Sequence, residues 1–244
     1  MSPRLSLTAP WPDDAIPPVV NLDQGPQGAL VSIDPRTRQV QALVGGYDFQ
    51  THPFNRASMA RRQAGSTIKP FVYGAAIEAR AIDATTRFDN VPESYRIGPH
   101  DFWTPKNYSG GYDGKSYSAR LALAKSINVI AVKVLERVGV RKFTDFVRRV
   151  GIHSDVAQDL SVALGSTAVS PLELANAYTT LASGGIAGEL SLVLRIEDAR
   201  GNVLWENQPT SVRGTTAQLA YSVTEMMQAV VTHGTGKELQ SLCR

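Results

Sequence analysis

Apolar and β-branched residues run together at Ala29-Leu30-Val31-Ser32-Ile33 and again at Val40-Gln41-Ala42-Leu43-Val44. Asp34-Pro35-Arg36-Thr37 between them is a turn signal, and Gly45-Gly46 stops the second run, so this stretch predicts a β-hairpin. From Ser66 to about Ala79 the pattern turns helical, with Pro70 early enough to cost at most one backbone bond. Ser118 caps a short predicted helix through Ala124. Further helices are expected from Val129 to Val138 and from Lys142 to Val150, each ended by a glycine, Gly139 and Gly151. Ser170-Pro171-Leu172-Glu173 reads as a helix start with Ser170 as N-cap, Pro171 first in the helix and Glu173 as reciprocal capping-box partner. That helix stops at Gly184-Gly185. Leu190–Ile196 and Val203–Glu206 predict a second hairpin around Asp198-Ala199-Arg200-Gly201, and a last helix spans about Thr216 to Val231. Residues 83–115, rich in Pro, Gly and aromatics, predict a long irregular loop of the kind that carries function. Residues 1–27 read as a linker or N-terminal arm, and residues 28–244 as one domain.

Composition narrows the classes. With 43% hydrophobic and 19% charged residues, the chain can build an ordinary globular core. The net charge of +3 comes from scattered Lys and Arg without a basic block, which argues against nucleic acid as a partner. Cys243 is the one cysteine, so no disulfide framework is available. Nothing in the sequence is apolar over the 18 or more residues a membrane span needs. Pro10-Trp11-Pro12-Asp13-Asp14 falls where a signal peptide would be apolar, so the chain as written carries no export signal and reads as cytosolic or as a piece of a larger protein.

Two short motifs carry chemistry. In Gly65-Ser66-Thr67-Ile68-Lys69, a serine opens a helix and a lysine follows one turn later on the same face. A serine hydroxyl is a weak nucleophile without an adjacent base, and a desolvated lysine can be that base. Backbone N–H groups at the helix start favour negative charge developing beside them. Alone, S-x-x-K is a weak signal, more often a helix cap followed by a surface lysine. Ser126-Ile127-Asn128 falls in the break between two predicted helices, where a hydroxyl can relay a proton and an amide can grip a peptide group. Alone, it is equally a helix end with turn-forming residues. Together, in this order, the two match the first two of three motifs, S-x-x-K, S-D-N and K-T-G, of penicillin-binding proteins and class A β-lactamases. His100, His153 and His233 lack metal-ligand spacing, and Gly236-Lys237 is no phosphate loop, since no Ser or Thr follows and position 231 is Val.

The flanks make the match specific. Gly45-Gly46-Tyr47-Asp48-Phe49, Pro53-Phe54-Asn55-Arg56-Ala57 and Arg62 through Tyr73 closely resemble the transpeptidase domain of class A penicillin-binding proteins. Trp103-Thr104-Pro105-Lys106-Asn107-Tyr108 is similar to that family's active-site loop, and Ala163–Ser166 and Pro171–Tyr178 also resemble it. The resemblance covers about residues 25–240. It implies an α/β (α+β) fold of the serine β-lactamase/transpeptidase type, a helical subdomain plus an antiparallel sheet with helices on both sides. Ser66 would be the nucleophile and Lys69 its base. Ser126 would pass the proton to the leaving group, and Asn128 would hold the substrate amide. Gly65, Trp103, Asn107 and Tyr108 would contact substrate. No metal and no cofactor are implied.

The implied reaction is D,D-transpeptidation of peptidoglycan stem peptides ending in D-Ala-D-Ala, with β-lactams trapping the same serine. The implied setting is the periplasmic, extracytoplasmic face of the inner membrane, in a parent anchored there with an upstream glycosyltransferase domain. The family's third motif, Lys-Thr/Ser-Gly, is absent from the 244 residues, and Gly234-Thr235-Gly236 resembles the turn that precedes it. The resemblance therefore implies a C-terminally truncated domain, lacking that motif, one oxyanion-hole donor and three strands of the sheet. Such a fragment is expected to fold poorly and to be inactive alone. Two other readings stand beside this one: a serine β-lactamase-like hydrolase, with Glu173 and Asn176 superficially suited to deacylation, and a non-catalytic β-lactam-binding or inert fragment.

Overall fold

The structure, a computed structural model, describes residues 4–7, 20–23, 27–50 and 53–241. Cys243 and most of the N-terminal arm lie outside them. Within the arm, Arg4–Leu7 pairs antiparallel with Val20–Asp23. Among the described residues six α-helices form the body: α1 Lys69–Glu78, α2 Ala119–Ala124, α3 Asn128–Val138, α4 Val140–Val150, α5 Pro171–Ala182 and α6 Ala217–His233. Between Lys69 and Glu78 at its ends, helix α1 is apolar all round, and Phe71 through Ala76 are buried. A helix of that composition belongs at the centre, and α3, α4 and α6 pack around it. Helix α4 is its opposite: Phe143, Phe146, Val147 and Val150 form one buried stripe on an otherwise charged segment. Phe146 lies against Gly74, where a Cβ would meet its ring at 3.1 Å, so α1 and α4 approach closely.

The expected hairpin is present as Leu30–Ile33 antiparallel to Val40–Val44, with Leu30 opposite Val44. Helix α5 lies against it. Arg38, in the turn, holds the two together from a left-handed backbone (φ 58°) while only 5% exposed. Its guanidinium donates to Asn176 Oδ1 (2.6 Å) and Thr180 Oγ1 (3.1 Å) on α5, and to the carbonyls of Ile186 and Gly188 beyond it. The fold is thus mixed α and β, and among the described residues its strands form short two-stranded antiparallel pairs rather than one continuous sheet. Leu30 and Val44 remain 54% and 53% exposed, so the ladder presents apolar residues that α5 does not cover.

Several boundaries move for physical reasons. The serine-bearing helix opens as a 3₁₀ turn, Gly65–Ile68, before α1 begins at Lys69. Helix α4 starts at Val140 rather than Lys142, because Gly139, at φ 83°, reverses the chain at once. The long loop is less irregular than its composition implies: Arg87–Asp89 pairs with Ser116–Ser118, and Tyr95–Arg96 with Phe102–Trp103. Ser170 caps α5 as expected, its hydroxyl accepting from Glu173 N at 3.1 Å. The reciprocal half of the capping box is not made. The Glu173 carboxylate turns instead to the backbone N–H groups of His153 and Ser154 (both 2.6 Å) and to Arg61 at 2.9 Å. Two N–H donors and a guanidinium hold a carboxylate better than one N–H does.

Candidate active site

Ser66 and Lys69 occupy the 3₁₀ turn and its junction with α1. Side chains three residues apart eclipse in a 3₁₀ turn, so the hydroxyl and the amine stack. The approach to Ser66 is braced by the segment 165–169. Ala64 N and Gly65 N donate to the carbonyls of Thr167 and Gly165, both at 3.1 Å, and Arg62–Gln63 pairs with Ala168–Val169. Gly65 needs its left-handed φ of 56°, and a Cβ on Gly165 would lie 2.1 Å from the Gly65 carbonyl oxygen. From the other side, Tyr178 on α5 donates to Thr67 O at 2.7 Å.

Lys69 is 1% exposed. Its Nζ donates to Ser126 O (2.7 Å), Ser126 Oγ (2.9 Å) and Asn128 Oδ1 (2.7 Å). Burial pulls the ammonium down to about 8, which leaves a useful neutral fraction near physiological pH. Ser126 in turn reaches Ser66, Oγ to Oγ, at 3.1 Å. It does so from a left-handed backbone (φ 55°), rare for serine, in the break between α2 and α3. Asn128 is the first residue of α3, and its Nδ2 donates to Lys106 O at 2.9 Å. Two hydroxyls, an amine of lowered basicity and a carboxamide therefore meet at one point. They open onto a cleft of about 600 Å³.

The sequence model for the penicillin binding protein transpeptidase domain matches residues 28–242. The chain belongs to that family. Penicillin-binding protein 1A of Neisseria lactamica is 39% identical over 226 residues, covering 89% of this chain; the chain spans 28% of that relative's length. The crystal structure of penicillin-binding protein 1A from Haemophilus influenzae superposes with a TM-score of 0.84 at 26% identity, covering 91% of this chain and 39% of that one. The PonA1 protein from Mycobacterium tuberculosis, in complex with penicillin V, superposes at 0.72 with 25% identity, covering 83% and 55%.

The other expected site residues of this transpeptidase domain fall into different places. Asn107 and Tyr108 line the cleft. Tyr108 is fully exposed there, free to meet a ligand. The Asn107 amide is engaged by the protein on both sides: Oδ1 accepts from Asn128 N (3.0 Å) and Val129 N (3.3 Å), and Nδ2 donates to Asn90 Oδ1 (2.7 Å) and Gly111 O (2.9 Å). Trp103 does not reach the cleft; it packs against Tyr95 at 6.2 Å between ring centres and against the core. Gly65 contributes backbone shape behind Ser66. The cleft wall also holds Thr235, from the Gly-Thr-Gly turn, and Asn90, Asp113, Tyr117 and Lys125, which no motif signals. Glu173, the candidate for hydrolytic deacylation, is tied to residues 153, 154 and 61 and is not part of the cleft wall.

Proposed function

We propose that this domain is the acyl-transfer unit of a D,D-transpeptidase that cross-links peptidoglycan stem peptides. One observation carries the reading: Ser126 Oγ bridges the Ser66 hydroxyl and the Lys69 amine, at 3.1 and 2.9 Å. Hydroxyl hydrogens rotate, so the same contacts serve with the protons reversed. Ser66 then gives its proton to Ser126 as Ser126 gives its own to neutral Lys69. Ser66 Oγ attacks the carbonyl carbon between the two terminal D-alanines. The charge on the carbonyl oxygen meets the Ser66 N–H, which lies in a first turn where no earlier helical carbonyl takes it. As the C–N bond breaks, the proton on Lys69 returns through Ser126 to the departing D-alanine nitrogen. An ester on Ser66 remains, and an amine from a neighbouring stem peptide attacks it, restoring the serine. Asn128 holds the donor peptide's amide and keeps the Lys69 amine aimed.

A β-lactam offers the same serine a strained amide whose leaving nitrogen stays attached, so the ester persists. The relative solved in complex with penicillin V supports this ligand class. The setting assigned with this function is the extracytoplasmic side of the inner membrane, in a protein that also carries a membrane anchor and a glycosyltransferase domain, as the family resemblance implies. Among the described residues no helix is long and apolar enough to cross a membrane. Residues 28–244 are assigned to the domain, with 1–27 as the arm leading into it.

The test is labelling of the whole gene product with a fluorescent penicillin, followed by peptide mass mapping. One label per chain on Ser66, lost in Ser66→Ala, is the expected result; a label on any other residue overturns the reading. A chromogenic cephalosporin separates it from hydrolysis. A single stoichiometric burst is expected, whereas sustained turnover would indicate a β-lactamase-like enzyme.

A further inference from the structure

A line of hydrogen bonds leaves the catalytic group and ends on a carboxylate 15 residues before Asn128 in the chain, counting from Asp113. Asp113 Oδ2 accepts from the Tyr117 hydroxyl, and Oδ1 accepts from Asn90 Nδ2 (2.8 Å) and Lys115 N (3.1 Å). Asn90, 6% exposed, passes its oxygen to Asn107 Nδ2, and Asn107 passes its own to the N–H groups of Asn128 and Val129. Each carboxamide donates through its Nδ2 towards Asp113 and accepts through its Oδ1 from the side of α3. The polarity therefore runs one way, from a negative charge to the positive end of α3. This order also settles both amide orientations, since flipping either one would set donor against donor.

Resting on the acyl-transfer reading above, we infer that Asp113 is a positioning residue for that reaction, acting through Asn90 and Asn107 on the first turn of α3 and thus on Asn128. The carboxylate lies well outside the motifs, in a loop with no regular structure to hold the start of α3. Without it, Asn90 Nδ2 loses its acceptor, and the amide that orients Asn107 is free to rotate. Asn128 Oδ1, one of three acceptors on Lys69, is then no longer fixed. The Tyr117 hydroxyl, foremost, holds the Asp113 carboxyl down at about 2, so the charge is present at every pH at which the lysine can act.

The test compares wild type with Asp113→Ala, Asp113→Asn and Asn90→Asp in the whole gene product, reading the penicillin acylation rate against pH beside thermal unfolding. Asp113→Ala is expected to acylate about tenfold or more slowly, as misplacement of a catalytic group does. Its rate should level off at a lower pH, because an ammonium that loses the Asn128 acceptor is less favoured. Asp113→Asn can still accept from Asn90 and Lys115 and donate to the Tyr117 oxygen, so it should recover most of the rate and the wild-type pH midpoint. Asn90→Asp sets two carboxylates face to face at constant size and should behave like Asp113→Ala, which keeps the inference testable if the alanine variant fails to fold. If wild type labels at Ser66 and the variants keep its pH midpoint, with losses matching only the unfolded fraction, Asp113 is structural and the inference is wrong. If wild type itself does not label at Ser66, the acyl-transfer reading fails first and takes the inference with it.

Discussion

Ser126 Oγ lies 3.1 Å from Ser66 Oγ across 60 residues of chain, and it gets there from a backbone conformation that serine rarely adopts. The left-handed φ of 55° turns the α2–α3 break back on itself and lifts the hydroxyl towards α1. Glycine would hold that backbone without strain but could not carry the proton. Ser126→Gly should therefore stay within about 1 kcal/mol of wild-type stability by urea melt. Its acylation rate by penicillin should fall roughly 100-fold or more. A variant that unfolds, or one that acylates normally, would contradict the relay.

The Lys69 amine must be neutral to accept a proton, and burial brings its ammonium to about 8 from 10.5. The acylation rate should thus rise about tenfold per pH unit up to pH ~8 and then flatten. Stability should move with it. Between pH 8 and 10.5 the unfolded chain holds a proton on Lys69 that the folded chain has released, so folding becomes more favourable as pH rises through that window. Lys69→Met should remove both the rate and that share of the pH dependence, measured by urea melts at pH 7 and pH 10.

Gly165 is the brace behind Ser66. At φ 78°, and with space for a Cβ only 2.1 Å from Gly65 O, alanine there must push the Gly65–Ser66 backbone away. Gly165→Ala should lower thermal stability by about 2 kcal/mol and slow acylation further than that loss explains. Stopped-flow labelling of the folded fraction separates the two effects.

Glu173 is a structural carboxylate. Burial raises its pKa, but the Ser154 hydroxyl, the N–H groups of Ser154 and His153, and Arg61 outweigh this and hold it below the ordinary value. Its contribution is therefore present above the unfolded carboxylate pKa of about 4.3 and is lost as pH falls through the lower folded value. Glu173→Ala should cost about 2 kcal/mol at pH 7 and progressively less as pH falls through the lowered folded value, while the stoichiometry of penicillin labelling stays at one. Faster loss of label in wild type than in Glu173→Ala would instead make Glu173 a deacylating group.

Arg38 joins the first hairpin to α5 through four acceptors while almost fully buried. Arg38→Met takes the guanidinium from Asn176 Oδ1, Thr180 Oγ1 and two carbonyls, of which Ile186 O keeps Ser183 Oγ and Gly188 O keeps Asn176 Nδ2, and should cost about 3 kcal/mol. Urea melts of the variant against wild type measure this, and a change under about 1 kcal/mol would show that water replaces the guanidinium.

Much of this was legible along the chain because its causes are local. Gly139 and Gly151 end their helices at φ 83° and 115°, as glycines that terminate helices do. Ser118, Ser170 and Thr216 each cap the helix that follows by accepting a backbone N–H three residues on. The pairing of Ser66 with Lys69 follows from one helical turn. The motif order and its flanks identified the family and placed Ser126 and Asn128 beside them.

Beyond those local ties, the folded chain made the choices. Asn90, Asn107 and Asp113 look alike to a propensity scale as turn-forming residues, and only the closed loop reveals that they join in a line. Glu173 has a capping partner in sequence and better partners in space. Arg38 finds its acceptors about 140–150 residues away, which no local pattern signals. Trp103, a natural candidate for the cleft, is claimed by Tyr95 and the core. Amino-acid order determined which groups could do acyl transfer, because helix periodicity and capping act within a few residues. Packing decided which of them meet, because contacts across long loops form only where burial and hydrogen bonding together outweigh the entropy of closing the chain.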